Sequence, residues 1–247
     1  MSQILYWLKN QKNKIRKKVC VARNRGDTRY CPICENFFKK FLNFGDPVRH
    51  DAICVCCEAL ERHRLLWVFM LEKNILLKKP STKFLHVAPE KCFEKKIENA
   101  LGDSYITADL FRTTTKVQMD ITNIQFPDSY FDTILCNHVL EHVLDDKKAI
   151  QEFFRVLKKD GQAIITVPTY NHQTYEDPSI TTPAARLIAF GQEDHVRKCG
   201  YDYINRLKSA GFLVELIKAN NLANEKNIVR LGLTAASGEI YYCTAVK

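Results

Sequence analysis

From Lys83 onward, short apolar runs alternate with stretches of helical spacing. Phe84-Leu85-His86-Val87 is a compact run that predicts a buried strand, and Lys91–Ala100 predicts the helix after it. Tyr105–Ala108 reads as a second strand, Val117–Met119 as a short third and Phe131–Cys136 as a fourth. A helix is expected from about Asp145 to Leu157, a turn at Asp160-Gly161, and a fifth strand over Ala163–Val167. Residues 169–199, rich in Thr, Pro, Asp and His, interrupt the pattern. A helix at Tyr201–Ala210, a strand after Gly211 and a last strand at Ile240–Val246 complete it. This alternation predicts an α/β domain: a mostly parallel sheet with an antiparallel last strand, covered by helices on both faces. There is no internal repeat.

The first third of the chain reads differently. Leu60, Arg64, Trp67 and Leu71 share one helical face, with Leu65, Leu66 and Phe69 filling the stripe, until Pro80 stops it. Before that helix lies a turn-rich stretch with Gly45 and Pro47, and before it a basic, polar segment. The expected division is a basic segment at 1–27, a small module at 28–57, a connecting helix at 58–80 and the α/β domain at 81–247. Of the 247 residues, a domain of about 170 buries enough surface to fold. A piece of roughly 45 residues usually needs a metal or disulfides.

Cys31-Pro-Ile-Cys34 and Cys54-Val-Cys56-Cys57 supply what the small module lacks. Each Cys-x-x-Cys knuckle brings two thiolates to one metal from a tight turn, and two knuckles complete a tetrahedral site. Four soft thiolates suit structural zinc on Cys31, Cys34, Cys54 and Cys57. An iron–sulfur site or unrelated buried thiols are the alternatives. Cys56 stands too close to Cys54 for knuckle spacing. No secretory signal precedes these cysteines, which fits reduced thiols in a cytoplasmic protein.

The net charge of +9 looks like a nucleic-acid signature until it is placed. Residues 1–40 hold eleven of the 37 basic residues and only two of the 28 acidic ones, which leaves the remainder neutral. A neutral body offers polyanions no field, which argues against nucleic acid as partner. The basic stretch Lys9–Arg29, preceded by Ile4, Leu5, Trp7 and Leu8, reads as a solvated helix, or as a peripheral contact with an anionic membrane. No segment approaches the roughly 20 apolar residues that span a bilayer.

In an open parallel sheet, ligands sit at the carboxyl ends of the strands where the strand order reverses. The residues trailing the first four strands are His86-Val-Ala88-Pro-Glu90, Asp109-Leu110, Asp120-Ile121 and Asn137-His138. Around the fourth runs Phe126-Pro-Asp-Ser-Tyr-Phe131-Asp132 through Leu140-Glu141-His142-Val143, and Phe154–Gly161 follows. With these motifs in this order, the chain resembles the class I S-adenosylmethionine-dependent methyltransferases, in particular those with a type 11 methyltransferase domain. The likeness covers residues 83–170 well and 200–247 more loosely. It implies a Rossmann-like fold and S-adenosylmethionine as cofactor, held by His86, Ala88, Glu90, Asp109, Leu110, Asp120, Ile121, Asn137 and His138. Asp109 would take the ribose hydroxyls, or serve as a helix N-cap. Asp120 and Ile121 would take the adenine, or form a plain turn. Where the family has an acidic residue and two glycines, this chain has His86, Ala88 and Glu90. Glu90 would face the cofactor's ammonium or sulfonium, or simply stabilise a helix start. Cys54-x-x-Cys57 running into Leu60–Arg64 is similar to bacterial methyltransferases with a knuckle pair before the catalytic domain, often associated with polysaccharide or secondary-metabolite synthesis.

Methyl transfer needs an aligned acceptor and a place for its proton. His195, His138 and His142 are the candidates, with His142 expected one helical turn beyond His138. Asp194, Arg197 and Arg186 are candidate contacts to an acceptor. The expected reaction is O-methylation of a sugar, glycan or other small hydroxylated molecule. An RNA methyltransferase and a noncatalytic scaffold on a degenerate cofactor fold are the alternatives.

Overall fold

The computed structural model describes residues 16–77, 82–171 and 173–247. The first half of the basic segment, with Trp7, Lys12 and Lys14, and the expected helix stop at Pro80 lie outside them. Two compact units divide the chain: Met1–Lys73 with Ala219–Ser237, and Asn74–Lys218 with Gly238–Lys247.

In the first unit two short hairpins carry the cysteines. Strand β1 (Arg25–Cys31) pairs antiparallel with β2 (Asn36–Phe38), and β3 (Leu42–Phe44) with β4 (Arg49–Ile53). Helix α1 spans Glu61–Glu72 and buries Leu65, Leu66, Trp67, Phe69 and Met70. Strands this short bury little by themselves, and the unit is completed from far along the chain. Helices Ala219–Leu222 and Glu225–Leu231 and a 3-10 turn at Ala235–Ser237 belong to it, although sequence pattern placed them in the α/β domain. Arg64, fully buried, is the clasp. Its guanidinium donates to the carbonyls of Ala52 (2.9 Å), Ala59 (2.8 Å), Leu231 (2.6 Å) and Gly232 (2.9 Å). It also stacks 4.0 Å from the Phe41 ring centroid, which keeps its charge compensated in a dry setting. Gly232 sits at φ +59°, and a Cβ there would come within 2.8 Å of the Phe41 ring. Only glycine fits that close approach.

The second unit is a seven-stranded sheet. Its strands are β5 (Phe84–Val87), β6 (Tyr105–Asp109), β7 (Val117–Gln118), β8 (Phe131–Asn137), β9 (Leu157–Thr166), β12 (Phe212–Ile217) and β13 (Ile240–Ala245). The order is β12-β13-β9-β8-β5-β6-β7. Pairing is parallel from β9 to β7, and β13 runs antiparallel to both β9 and β12. The order reverses at β5, which lies between β6 and β8. This is the Rossmann-like arrangement expected from the sequence. Helix α2 (Lys91–Leu101) buries Phe93, Ile97 and Leu101 at i, i+4, i+8 and stops at Gly102, φ +58°. Helix α3 (Asp146–Val156) is capped by Asp145, which accepts from the Lys148 N–H at 2.9 Å, and buries Ala149, Ile150, Phe153 and Val156. Leu85 and Val87 join Ile150 and Phe153 in one core, while Phe93 of α2 meets the ring of His86 from the alternate face.

The expected turn at Asp160-Gly161 lies inside β9. The pairing with β8 jumps from Phe131↔Leu157 to Thr133↔Gln162, so the strand bulges there instead of beginning after a turn, with Asp160 at φ +59°. Residues 169–199 hold β10 (Thr169–Asn171), α4 (Pro183–Phe190) and β11 (Cys199–Gly200), and α5 (Tyr203–Ser209) follows. No helix among the described residues is long and apolar enough to cross a membrane.

Candidate functional site

At the reversal point a polar chain runs from the start of β6 across β5 to the carboxyl ends of β8 and β9. His86 is fully buried. Its Nδ1 lies 2.8 Å from the Tyr105 hydroxyl and its Nε2 2.7 Å from Glu90 Oε2. Asn137 Nδ2 donates to Glu90 Oε1, and the Thr166 hydroxyl donates to Asn137 Oδ1. Burial pushes the Tyr105 phenol well above its ordinary range, so it stays a neutral O–H. A chain of donors then leads to the carboxylate of Glu90: Tyr105 keeps a proton to offer His86 Nδ1, and Asn137 donates to Glu90 beside His86 Nε2. Ala88 adopts φ +47°, so the backbone keeps the left-handed bend that glycine would ordinarily make there. Arg112, in the loop after β6, braces this loop by donating to the Pro89 carbonyl (3.0 Å) and to Glu94 (3.1 Å).

Asp109 closes β6, opposite Gln118 of β7, and its carbonyl accepts from the Met119 N–H at 3.0 Å. Asp120 is the next residue, so the two carboxylates trail adjacent parallel strands. One oxygen of each holds a local turn. Asp109 Oδ1 accepts from the N–H groups of Phe111 (2.7 Å) and Arg112 (2.8 Å), and Asp120 Oδ1 from the N–H and hydroxyl of Thr122 (both 2.8 Å). The Oδ2 atoms take part in none of these bonds. Leu110 is exposed, whereas Ile121, expected on the adenine ring, turns into the core with Met119 and Ile124.

After β8 the expected helix start is a 3-10 turn, Leu140–His142, preceded by His138 at φ +54°. His138 and His142 therefore do not share a continuous helix. The fold instead gathers them with His195. His138 Nδ1 lies 3.1 Å from Glu141 Oε1, and His142 Nδ1 lies 3.3 Å from Asp194 Oδ2. The His142 and His195 rings meet edge to face at 4.7 Å. Glu141 and His195 are each 1% exposed, and burial holds His195 below the ordinary imidazole range. Glu141 carried no chemical role in the sequence reading. A lone acid within Leu-Glu-His looks like a helix-start charge until burial is known.

Arg197 is not where a ligand would meet it. It is 2% exposed, and its guanidinium donates to the carbonyls of Leu140 (2.6 Å), Val143 (2.6 Å) and Leu144 (3.0 Å) and to Glu176 (3.1 Å). It is a clamp on the turn that carries Glu141 and His142, so the acceptor contact expected of it is withdrawn. Arg186 lies in α4 and donates to the Ile180 carbonyl at 3.4 Å.

In the first unit the four expected cysteines come together, with all four sulfurs within 4.8 Å of one another. Cys31 and Cys57 Sγ are 3.5 Å apart, and Cys34 and Cys54 Sγ 3.7 Å. Tetrahedral zinc with bonds near 2.3 Å needs sulfur separations of about 3.8 Å, so the set fits. Cys56 stays outside it. Burial, reinforced by the neighbouring Cys34, pushes its thiol up to about 11 and keeps it protonated.

These geometries agree with what the chain resembles. Residues 70–165 match the model of a methyltransferase domain. An uncharacterised methyltransferase of Bacillus subtilis, YcgJ, is 34% identical over 76 residues, 31% of this chain and 28% of that protein. The ubiquinone/menaquinone biosynthesis C-methyltransferase UbiE of Pasteurella multocida is 28% identical over 102 residues, 41% of this chain and 35% of its own length. The chain thus spans about a third of the length of these relatives. A solved S-adenosylmethionine-dependent methyltransferase from Mesorhizobium loti superposes with a TM-score of 0.51 at 12% identity, covering 76% of this chain and 99% of that one. At that identity the likeness establishes the fold.

Proposed function

We propose that this chain is an S-adenosylmethionine-dependent methyltransferase. The observation that carries the reading is the placement of Glu90, Asp109 and Asp120 at the carboxyl ends of β5, β6 and β7, beside the sheet's reversal point. S-adenosylmethionine, when bound, supplies an electrophilic methyl group on sulfur. Asp109 Oδ2 accepts from the ribose hydroxyls, and Asp120 Oδ2 from the adenine amine. Glu90 takes over the role of the acidic residue that His86 displaces, with His86 and Asn137 orienting its carboxylate toward the cofactor's ammonium. The residues fit the group, because Asp109 and Asp120 each use only Oδ1 for their own turn, while Glu90 is held in place by His86 and Asn137.

The acceptor we propose is a sugar, glycan or other small hydroxylated molecule, methylated on oxygen. The polar cluster around Glu141 and His195 supports this, since its partly exposed imidazoles, His138 above all, offer a proton acceptor at the end of β8. Asp194, exposed beside His142, would contact the acceptor's hydroxyls. The four cysteines hold a structural zinc in this reading, and a complete thiolate set leaves that ion no open position for chemistry. Titration calorimetry of the full chain with S-adenosylmethionine and S-adenosylhomocysteine tests the reading. Micromolar or tighter binding is expected, and no heat with either compound would defeat it.

A further inference from the structure

We propose that Glu141, His142 and His195 form a second metal site in the methyltransferase unit, one that takes a divalent transition-metal ion such as Zn2+. The three residues come from two separate stretches, the turn after β8 and the segment before β11. Each offers a ligand atom, and these atoms lie within 4.8 Å of one another. Zinc with nitrogen and oxygen ligands near 2.1 Å requires separations of about 3.4 Å, a contraction that side-chain rotation supplies.

Two unsatisfied atoms point to the ion. Glu141 Oε2 and His195 Nδ1 are buried and have no hydrogen-bond partner, on side chains that are both 1% exposed. Leaving such an atom unpaired costs about 1–3 kcal/mol, and a cation ligated by both would satisfy them. The surroundings are built to hold it. The Val196 N–H donates to the Glu141 carbonyl at 2.9 Å, which ties the two ligand-bearing stretches together directly. Arg197 fixes the same turn through the Leu140 and Val143 carbonyls. His138 sits on the remaining oxygen of Glu141 at 3.1 Å, as an outer-shell partner does for a metal-bound carboxylate. His142, about a third exposed, leaves a path for the ion to enter.

Two imidazoles and a carboxylate favour zinc or a neighbouring first-row ion over Mg2+ or Ca2+, which prefer all-oxygen shells. The set also leaves a coordination position open, suited to an oxygen donor such as water or a hydroxyl. Loading of this site does not depend on methyl transfer, so its test stands apart from the activity.

The experiment is cobalt titration of the metal-free full chain, followed by visible absorption, with zinc stoichiometry measured in parallel. The first equivalent should fill the cysteine site and give intense thiolate-to-cobalt charge transfer. A second should add only weak d–d bands without further charge transfer. The substitutions Glu141→Gln, His142→Gln and His195→Gln should each weaken this second event at least tenfold and leave the first unchanged. Native protein that saturates at a single equivalent, or variants that all retain the second, would overturn the proposal. Should the buried His195→Gln protein fail to fold, the partly exposed His142→Gln variant decides by itself.

Discussion

At the scale of single residues, position after a strand was the informative signal. Asp109 and Asp120 could be picked out because a parallel sheet delivers ligands to those points, and the fold puts them on neighbouring strand ends. Replacing Asp109 by Ala should weaken S-adenosylhomocysteine binding by roughly ten- to a hundredfold in calorimetry, the worth of a hydrogen bond to a charged group. Ala88 makes a different point. Sequence shows only that a glycine is missing, whereas the structure shows that its backbone angle is kept, at φ +47°. A left-handed alanine costs about 1–2 kcal/mol, and glycine's extra freedom in the unfolded chain offsets about 0.5–1 of that. Ala88→Gly should therefore stabilise the protein by up to about 1 kcal/mol in urea unfolding. Arg197 was misread because an arginine that grips backbone carbonyls and one that awaits an anion are the same letter. Only burial separates them. Removing it with Arg197→Met would take the donor from the Leu140, Val143 and Leu144 carbonyls, while Glu176 keeps Arg206 at 2.9 Å, and a loss of about 1–3 kcal/mol of stability is expected.

At the scale of elements, strands β5, β6, β8 and β9 were legible because each is an apolar run bounded by polar or turn residues. Helix α4 carried its own signals, a Thr182 cap, Pro183 at the first position and Gly191 in the left-handed region, inside a stretch that looked irregular as a whole. The helices at 219–231 gave no comparable pattern. They are short and bury little beyond Leu231, so their helicity comes from docking and not from periodicity. The loop before β8 is pinned by another arrangement that pattern does not reveal. Glu152 of α3 accepts from Arg155 (2.7 Å) and from the Ile124 N–H (2.8 Å), while Arg155 also donates to the carbonyls of Ile124 and Phe126. The hydrogen bonds from Arg155 hold the Glu152 carboxyl below its ordinary range. A depressed carboxyl stabilises the fold above the unfolded value near 4.3 and loses that contribution as pH falls through the folded value. Stability should thus decline on acidification below about pH 4.5, and Glu152→Gln should flatten that part of the profile in chemical denaturation.

At the scale of the whole molecule, the cysteine spacing anticipated the four-sulfur cluster but not the extent of the unit around it. Nothing in residues 28–57 announces that Arg64 will reach two carbonyls some 167 and 168 positions later. Stripping the ion proposed for the cysteine site with a strong chelator should accordingly raise hydrogen exchange in both 25–57 and 219–237, with β5, β8 and β9 little changed. Loss of protection confined to the first stretch would show that the two do not fold as one unit.

The excursion of the chain between β12 and β13 also sets an order of assembly. During synthesis from the N-terminus, both knuckles emerge and can take up metal while Leu231 and Gly232 are still to be made. Through that interval the Arg64 guanidinium has only the Ala52 and Ala59 carbonyls to hold. Capture of the proposed ion and locking of the clasp are thereby separate events, the second deferred until residues 231 and 232 have been made. A nascent or truncated form that stops short of residue 219 would contain every thiolate and still lack the latch.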